Sequence, residues 1–291
     1  LSATTIVARP TAPWRGGALW VLPPLLLLGV LFFYPLGLIA GQSWVGADGA
    51  LSASSYAAVL TGPLFGNALW HTIEIAVGAT AGCLVLGFVM ALLLTFVPIV
   101  GGRLIARLID TFIALPTFLV ALAFTFIYGS AGLLNVALMG ATGQATPPID
   151  FLYSVSGVIL AEVTVYTPFI MRPLLAAFSM IETAQIEVAS SLGAGAWRII
   201  WQVIFPAALP ALLAGGSLCL LLTVNEFGVV FFIGAKGVIT LPLLIYGKAI
   251  EESDYISACV IAVVNVALSL SLYALYRILV SRLGGDRAGV V

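Results

Sequence analysis

The sequence predicts an all-α, polytopic membrane protein with six transmembrane helices. Three observations carry that prediction. Of its 291 residues 62% are hydrophobic and only 8% charged, too few charges to cover the surface of a soluble domain. Six apolar runs are long enough to cross a hydrocarbon core, which takes roughly 20 residues. The basic residues fall on alternate connections between those runs.

Residues 1–18 contain Arg9, Pro10, Pro13 and Arg15 and read as a polar tail. The first span is Leu19 to Gly41, kinked by Pro23, Pro24 and Pro35, with Trp20 and Trp44 at its two ends, where indole rings favour the membrane interface. It is too long for the apolar region of a signal peptide, and no small-residue cleavage site follows it. A polar loop from Gln42 to Trp70 holds Asp48 and no Lys or Arg. The second span runs from about Ile75 to Val97. The third, about Asp110 to Tyr128, follows a short connection carrying Arg103 and Arg107, and Arg107 with Asp110 has the spacing of an i, i+3 ion pair. Ser130 to Asp150, again without a basic residue, precedes the fourth span at about Val155 to Ala177. A fifth is expected at about Ala207 to Phe232. A loop from Gly234 to Ser253 leads to the sixth, about Tyr255 to Leu279, before a short tail at 280–291.

Sorting the connections by side puts nine arginines (9, 15, 103, 107, 172, 198, 277, 282 and 287) on one face and only Lys236 and Lys248 on the other. Because Lys and Arg are retained on the cytoplasmic side, both termini and the segment 179–206 are expected there.

That segment is a polar island between two apolar runs. Ile181 to Leu192 has the composition of a short helix, and Gly193 and Gly195 permit the backbone that ends it. A second short helix should follow, with Trp197, Ile200, Trp201 and Ile204 on one face at i, i+3, i+4 and i+7, and Pro206 ending it. Glu187, Ala189, Gly193 and Pro206 have the spacing Glu-x-Ala-x₃-Gly-x₁₂-Pro. This resembles the cytoplasmic signature loop of binding-protein-dependent ABC importer permeases, with Val188, Val203 and Phe205 in place of the family's Ala, Ile and Leu. The resemblance covers residues 67–279, leaving residues 19–66 as an added first helix and loop.

Several expectations follow from the resemblance. The fold is that of a type I ABC importer permease, MetI-like. Glu187, Ala189, Gly193, Trp197, Trp201 and Pro206 belong to a coupling helix that docks on an ATPase subunit, with the two tryptophans facing either that partner or the chain's own helices. The chain holds no cofactor, since ATP and Mg are bound by the partner ATPase, and it carries no catalytic residue. Its implied partners are two ABC ATPase subunits, a second permease subunit, identical or paralogous, a periplasmic substrate-binding protein and membrane lipid. The implied location is the bacterial inner membrane.

Glu226 falls within the fifth span, where an acid costs about 2.5–3.5 kcal/mol to insert, so it must face the bundle interior or water. Asn225-Glu226-Phe227-Gly228 resembles a region shared by the sulfate, molybdate and aminoethylphosphonate branch of these permeases. Asn225 and Glu226 are therefore candidates for the translocation path, and gating or packing remains an alternative for the acid. Glu162, near Thr164, Tyr166 and Thr167 in the fourth span, is a third candidate, unless it lies far enough out to reach the interface. The stretch 234–251 resembles the corresponding segment of 2-aminoethylphosphonate permeases, which makes an organophosphonate the implied solute. Sulfate, molybdate, ferric iron and polyamine are the alternatives.

Other classes find little support. Cys83, Cys219 and Cys259 lie in apolar runs without metal-ligand spacing and read as small buried hydrophobes, and His71 is the sole histidine. No Gly-x₄-Gly-Lys-[Ser/Thr] phosphate loop occurs, so ATP hydrolysis must come from elsewhere. An ion-coupled secondary transporter would show a duplicated hydropathy pattern, which is missing. No basic stripe points to nucleic acid.

Overall fold

The computed structural model describes residues 17–46, 49–234 and 237–284, and among these the only extended pairing is one isolated bridge, Val45 with Leu51. Helices α1 (Gly17–Leu28) and α2 (Tyr34–Gln42) are joined by a π-helical turn, Gly29–Phe33, into one rod. The Tyr34 N–H reaches Gly29 O across that turn, a widened loop that accommodates Pro35, which has no N–H to give. The rod is largely exposed and packs on the rest of the chain mainly through α2.

The region expected as a plain loop contains α3 (Ser54–Leu60), and the second span, α4 (Pro63–Phe96), begins twelve residues earlier than its apolar run indicated. Its 34 residues measure about 50 Å, well beyond a core of about 30 Å. Pro63 at the first helical position starts it, with no N–H to leave unpaired.

The third span also differs from expectation. Residues 102–113 form a separate helix, α5 (Gly102–Ile113), and Pro116 then opens α6 (Thr117–Tyr128). After a turn at 129–132 the chain continues as α7 (Leu133–Thr142), so the membrane-length unit is Thr117–Thr142. Asn135, wholly buried, holds this connection together: its amide donates to Gly129 O and Ile149 O, both at 2.8 Å, and accepts from Ile149 N at 2.9 Å. The side chain of Asp110, expected to pair with Arg107, lies outside the described residues, as do residues 1–16 and 285–291 of the two tails and Lys236.

The fourth span, α8 (Val155–Ser179), is the axis of the bundle. Ser154 caps it by accepting from the Gly157 N–H at 3.3 Å. Val158, Ala161, Ile170, Met171 and Leu174 are fully buried against its principal neighbours, α4 and the helix that follows the 179–206 segment.

That segment contains α9 (Thr183–Ser191) and then α10 (Ala196–Ile199), a π turn (Ile200–Ile204) and α11 (Phe205–Val224) in unbroken succession. Pro206 therefore does not end a helix. The Phe205 N–H bonds to Ile200 O across the π turn, which lets the proline enter without a break, and the fifth span starts at Ala196. It stops at Val224, earlier than expected, and α12 (Gly228–Ile233) resumes after three non-helical residues. The expected loop from 234 to 253 is largely helical too: α13 (Leu241–Tyr246) runs into a π turn, Gly247–Glu251, and packs on α4 and on α14 (Tyr255–Gly284). Six described units are long and apolar enough to cross a membrane: Trp20–Gln42, Pro63–Phe96, Thr117–Thr142, Val155–Ser179, Ala196–Val224 and Tyr255–Arg282.

Candidate functional site

Two departures from straight membrane helix hold the residues singled out by sequence: an arm at one end of the bundle and a break inside it. The arm is α9. It ends in a Schellman motif, in which Gly193, at φ +80°, donates to Ser190 O at 2.9 Å while Ala194 donates to Ala189 O at 3.0 Å. A side chain at 193 would pay the left-handed penalty, so the glycine sets the direction in which the chain leaves the arm. Ile181, Ile186, Ala189 and Ala194 pack back on the core. Glu187 points away from it, and Val188 and the C-cap residue Leu192 are 59% and 82% exposed. The arm therefore presents an apolar surface beside an acid at the polar end of the bundle.

Trp197 and Trp201, 72% and 46% exposed, follow the arm on α10 and the π turn. Their rings meet edge to face at 5.6 Å, Trp201 lies 4.8 Å from Phe205, and all three line an apolar groove of about 530 Å³. Its other walls come from α4, with Phe88 and Leu92, and from α14, with Tyr276. Pro206 stands at the π turn one step further along.

The break at 225–227 gathers side chains from distant parts of the chain. Glu226 is 7% exposed, and its carboxylate accepts from Thr117 Oγ1 of α6 at 3.1 Å, from the Val229 N–H of α12 at 2.9 Å and from the Tyr166 hydroxyl of α8. One acid thus caps the helix it precedes and joins it to two others. Gly228 makes room: a Cβ there would stand 3.1 Å from Thr117 Oγ1 and 3.3 Å from Glu226 Oε1.

Asn225, one residue earlier, is exposed while Val224 and Glu226 are buried. Its amide donates to Leu221 O at 2.8 Å and Ser269 Oγ at 3.3 Å, and its oxygen accepts from Asn265 Nδ2 at 3.0 Å. Glu162 sits one helical turn before Tyr166, wholly buried, with neither carboxylate oxygen hydrogen-bonded among the described residues, so it does not reach the interface. The structure gathers Glu226, Tyr166 and Thr117 at one point and leaves the arm at the far end of α11.

Thr117, Asn265 and Ser269 escaped the sequence reading. For the last two a signal existed: an amide and a hydroxyl at i, i+4 in an otherwise apolar run mark one polar spot on a helix face. Thr117 carried none. No group of three or more His, Cys, Asp or Glu side chains among the described residues is placed to hold a metal ion, and Cys83 and Cys219 are buried free thiols.

Residues 83–285 match the family described as the binding-protein-dependent transport system inner membrane component. A Salmonella paratyphi A protein, provisionally named the 2-aminoethylphosphonate transport system permease protein PhnU, is 61% identical over 91% of this chain and 92% of its own length. A sulfate transport system permease protein, cysT, of Chlorokybus atmophyticus is 32% identical over 66% of this chain and 65% of its own. Among solved structures, a bacterial ABC transporter that imports alginate superposes with a TM-score of 0.80 over 93% of this chain and 97% of its counterpart, at 15% identity. The methionine ABC transporter in an inward-facing form gives 0.55 over 76% and 94%, at 19% identity.

Proposed function

The chain belongs to the family of binding-protein-dependent transport system inner membrane components, and on that premise we propose that it is the membrane subunit of an ATP-driven importer of 2-aminoethylphosphonate. As a permease it is a non-catalytic, multi-pass subunit. The observation that carries the coupling role is α9, an arm that with its C-cap exposes Val188 and Leu192 beside Glu187 at the spacing of the family's signature loop. Apolar side chains held in water on a rigid helix are what a docking helix offers to a groove on a partner. In this proposal the groove belongs to an ATPase subunit that binds ATP and Mg. Two such subunits serve two permease chains, and a periplasmic binding protein delivers the solute to the opposite end. Both termini lie on the ATPase side, as the arginine distribution supports.

Trp197 and Trp201 are assigned a supporting role in this reading. Lining the groove with residues of α4 and α14, they transmit movement of the arm into the bundle through the continuous helix from Ala196 to Val224. Glu226 holds the far end of that helix to α6, α8 and α12, so displacement of the arm is felt at the break. The solute assignment is supported by the 61% identity over most of both chains to a protein named for 2-aminoethylphosphonate transport.

The test is uptake of labelled 2-aminoethylphosphonate by cells with and without the chain, with labelled sulfate as comparator. Loss of phosphonate uptake alone is the expected result. Loss of sulfate uptake with phosphonate uptake retained refutes the assignment.

A further inference from the structure

The helix break shows different chemistry on its two sides. Glu226 is turned into the bundle with its carboxylate engaged three times over. Asn225 is turned out. The break faces Tyr166, near the midpoint of α8, which places it well inside the membrane. An amide exposed at that depth is costly against hydrocarbon, so it faces water or a polar solute.

The hydrogen bonds determine what kind of solute. Both amide hydrogens of Asn225 are spent, one on Leu221 O and one on Ser269 Oγ. Its oxygen accepts a single bond, from Asn265 Nδ2, and keeps a lone pair free. Behind it the Asn265 oxygen is buried with no partner among the described residues. Ser269 completes the arrangement by donating to Asn265 O at 2.9 Å. The patch is thus rich in acceptors, poor in free donors and without a fixed charge of its own.

We propose that Asn225 is a solute-contacting residue of the translocation path that accepts a hydrogen bond from the ammonium group of a small zwitterion, and that Asn265 and Ser269 are positioning residues that fix its amide in place. The inference rests on the importer reading above and adds which end of the solute is held, and by what. A neutral amide suits transit, because a site on a path must release what it binds.

The test uses the complete importer, with permease, ATPase and binding protein, in proteoliposomes supplied with 2-aminoethylphosphonate. Asn225→Leu is expected to lower the turnover of uptake about tenfold, with the KM for loaded binding protein and the thermal stability of the complex unchanged. Asn225→Gln, which keeps a neutral amide with the same donors and acceptor, is expected to recover part of that turnover. Wild-type turnover in Asn225→Leu, a loss that merely follows stability, or no recovery with glutamine overturns the proposal. Should Asn225→Leu fail to insert, Ser269→Ala decides, since it frees an amide hydrogen without adding bulk. A two- to threefold fall in turnover at constant KM supports the positioning role, and no change removes it. If the wild-type importer ignores 2-aminoethylphosphonate, the solute reading fails and this inference goes with it. If wild type carries it and the variants do too, only this inference fails.

Discussion

The arm at 183–191 and the break at 225–227 lie at opposite ends of one helical run, and they are built in opposite ways. Among the described residues the hydrogen bonds that shape the arm are local, from the Schellman closure at Gly193 to the Ser191 hydroxyl on Glu187 O at 2.9 Å. At the break the contacts are remote: Tyr166 is 60 residues from Glu226, Thr117 is 109, and Asn265 is 40 from Asn225. The arm is exposed and depends on the bundle for little beyond a platform of small apolar contacts. The break is buried on its Glu226 side, which exists only because four helices meet there. A change in the arm should therefore abolish function and spare the fold, whereas a change at Glu226 should be felt in the fold first.

The largest expected effect comes from the arm. Glu187→Lys reverses the charge of its exposed face, and Gly193→Trp forces an L-residue into a left-handed turn at a cost of about 1–2 kcal/mol. Uptake should fall to background in both, with the amount of protein in the membrane unchanged, as read by immunoblot. Persistent uptake would make α9 an ordinary surface helix.

Next in size is a labelling contrast that fixes which side the arm is on. Ser52→Cys should react fully with an impermeant thiol reagent added to intact cells and Ser190→Cys should not, the difference being tenfold or more. The reverse pattern inverts the orientation.

Stability distinguishes the break. Glu226→Leu leaves a threonine hydroxyl, a tyrosine hydroxyl and a backbone N–H without their acceptor and should cost about 3–5 kcal/mol. Glu226→Gln keeps an acceptor in the same place and should cost about 1–2 kcal/mol, close to Tyr166→Phe. Thermal unfolding in detergent reads all three, and combining Tyr166→Phe with Glu226→Leu should add little, because the shared bond is already gone. Equal losses for Leu and Gln would show that hydrogen bonding to the acid does not hold the break.

The smallest effect is expected from Trp201→Ala. A side chain 46% exposed at the mouth of an apolar groove should cost about 1 kcal/mol or less and leave ATPase binding intact. Loss of the ATPase from the purified complex would move this tryptophan to the docking surface.

These two regions also mark how far the sequence could be read. The fold class and six membrane-length helices followed from composition and apolar run length, and the arm followed from spacing, because all its determinants lie within about twenty consecutive residues. Hydropathy misplaced boundaries wherever polar residues continued a helix: α4 starts at Pro63 because its first turns are amphipathic, and α13 lies in a stretch broken by glycines and lysines. Pro206 was misread because a proline stops a helix only when the preceding turn cannot widen, and the π turn at Ile200–Ile204 widens it. The break was invisible for a different reason. Burying Glu226 needs one partner from each of α6, α8 and α12, and no local pattern announces which threonine or tyrosine will arrive. Glu162 shows the converse, since its position in the sequence allowed an interfacial acid and only the packing of α8 shows that it is enclosed.

The central claim is that the arm couples the chain to an ATPase while the break acts on the solute, and it is tested most directly in one reconstitution. Permease, ATPase and loaded binding protein are assembled in proteoliposomes, and ATPase retention, ATP hydrolysis and 2-aminoethylphosphonate uptake are measured for wild type, Glu187→Lys and Asn225→Leu. The account predicts that Glu187→Lys loses the ATPase subunit, and with it stimulated hydrolysis and uptake, whereas Asn225→Leu keeps the ATPase bound and transports more slowly. Retention of a fully stimulated ATPase by Glu187→Lys, or uptake by wild type that proceeds without ATP on an ion gradient, would contradict it.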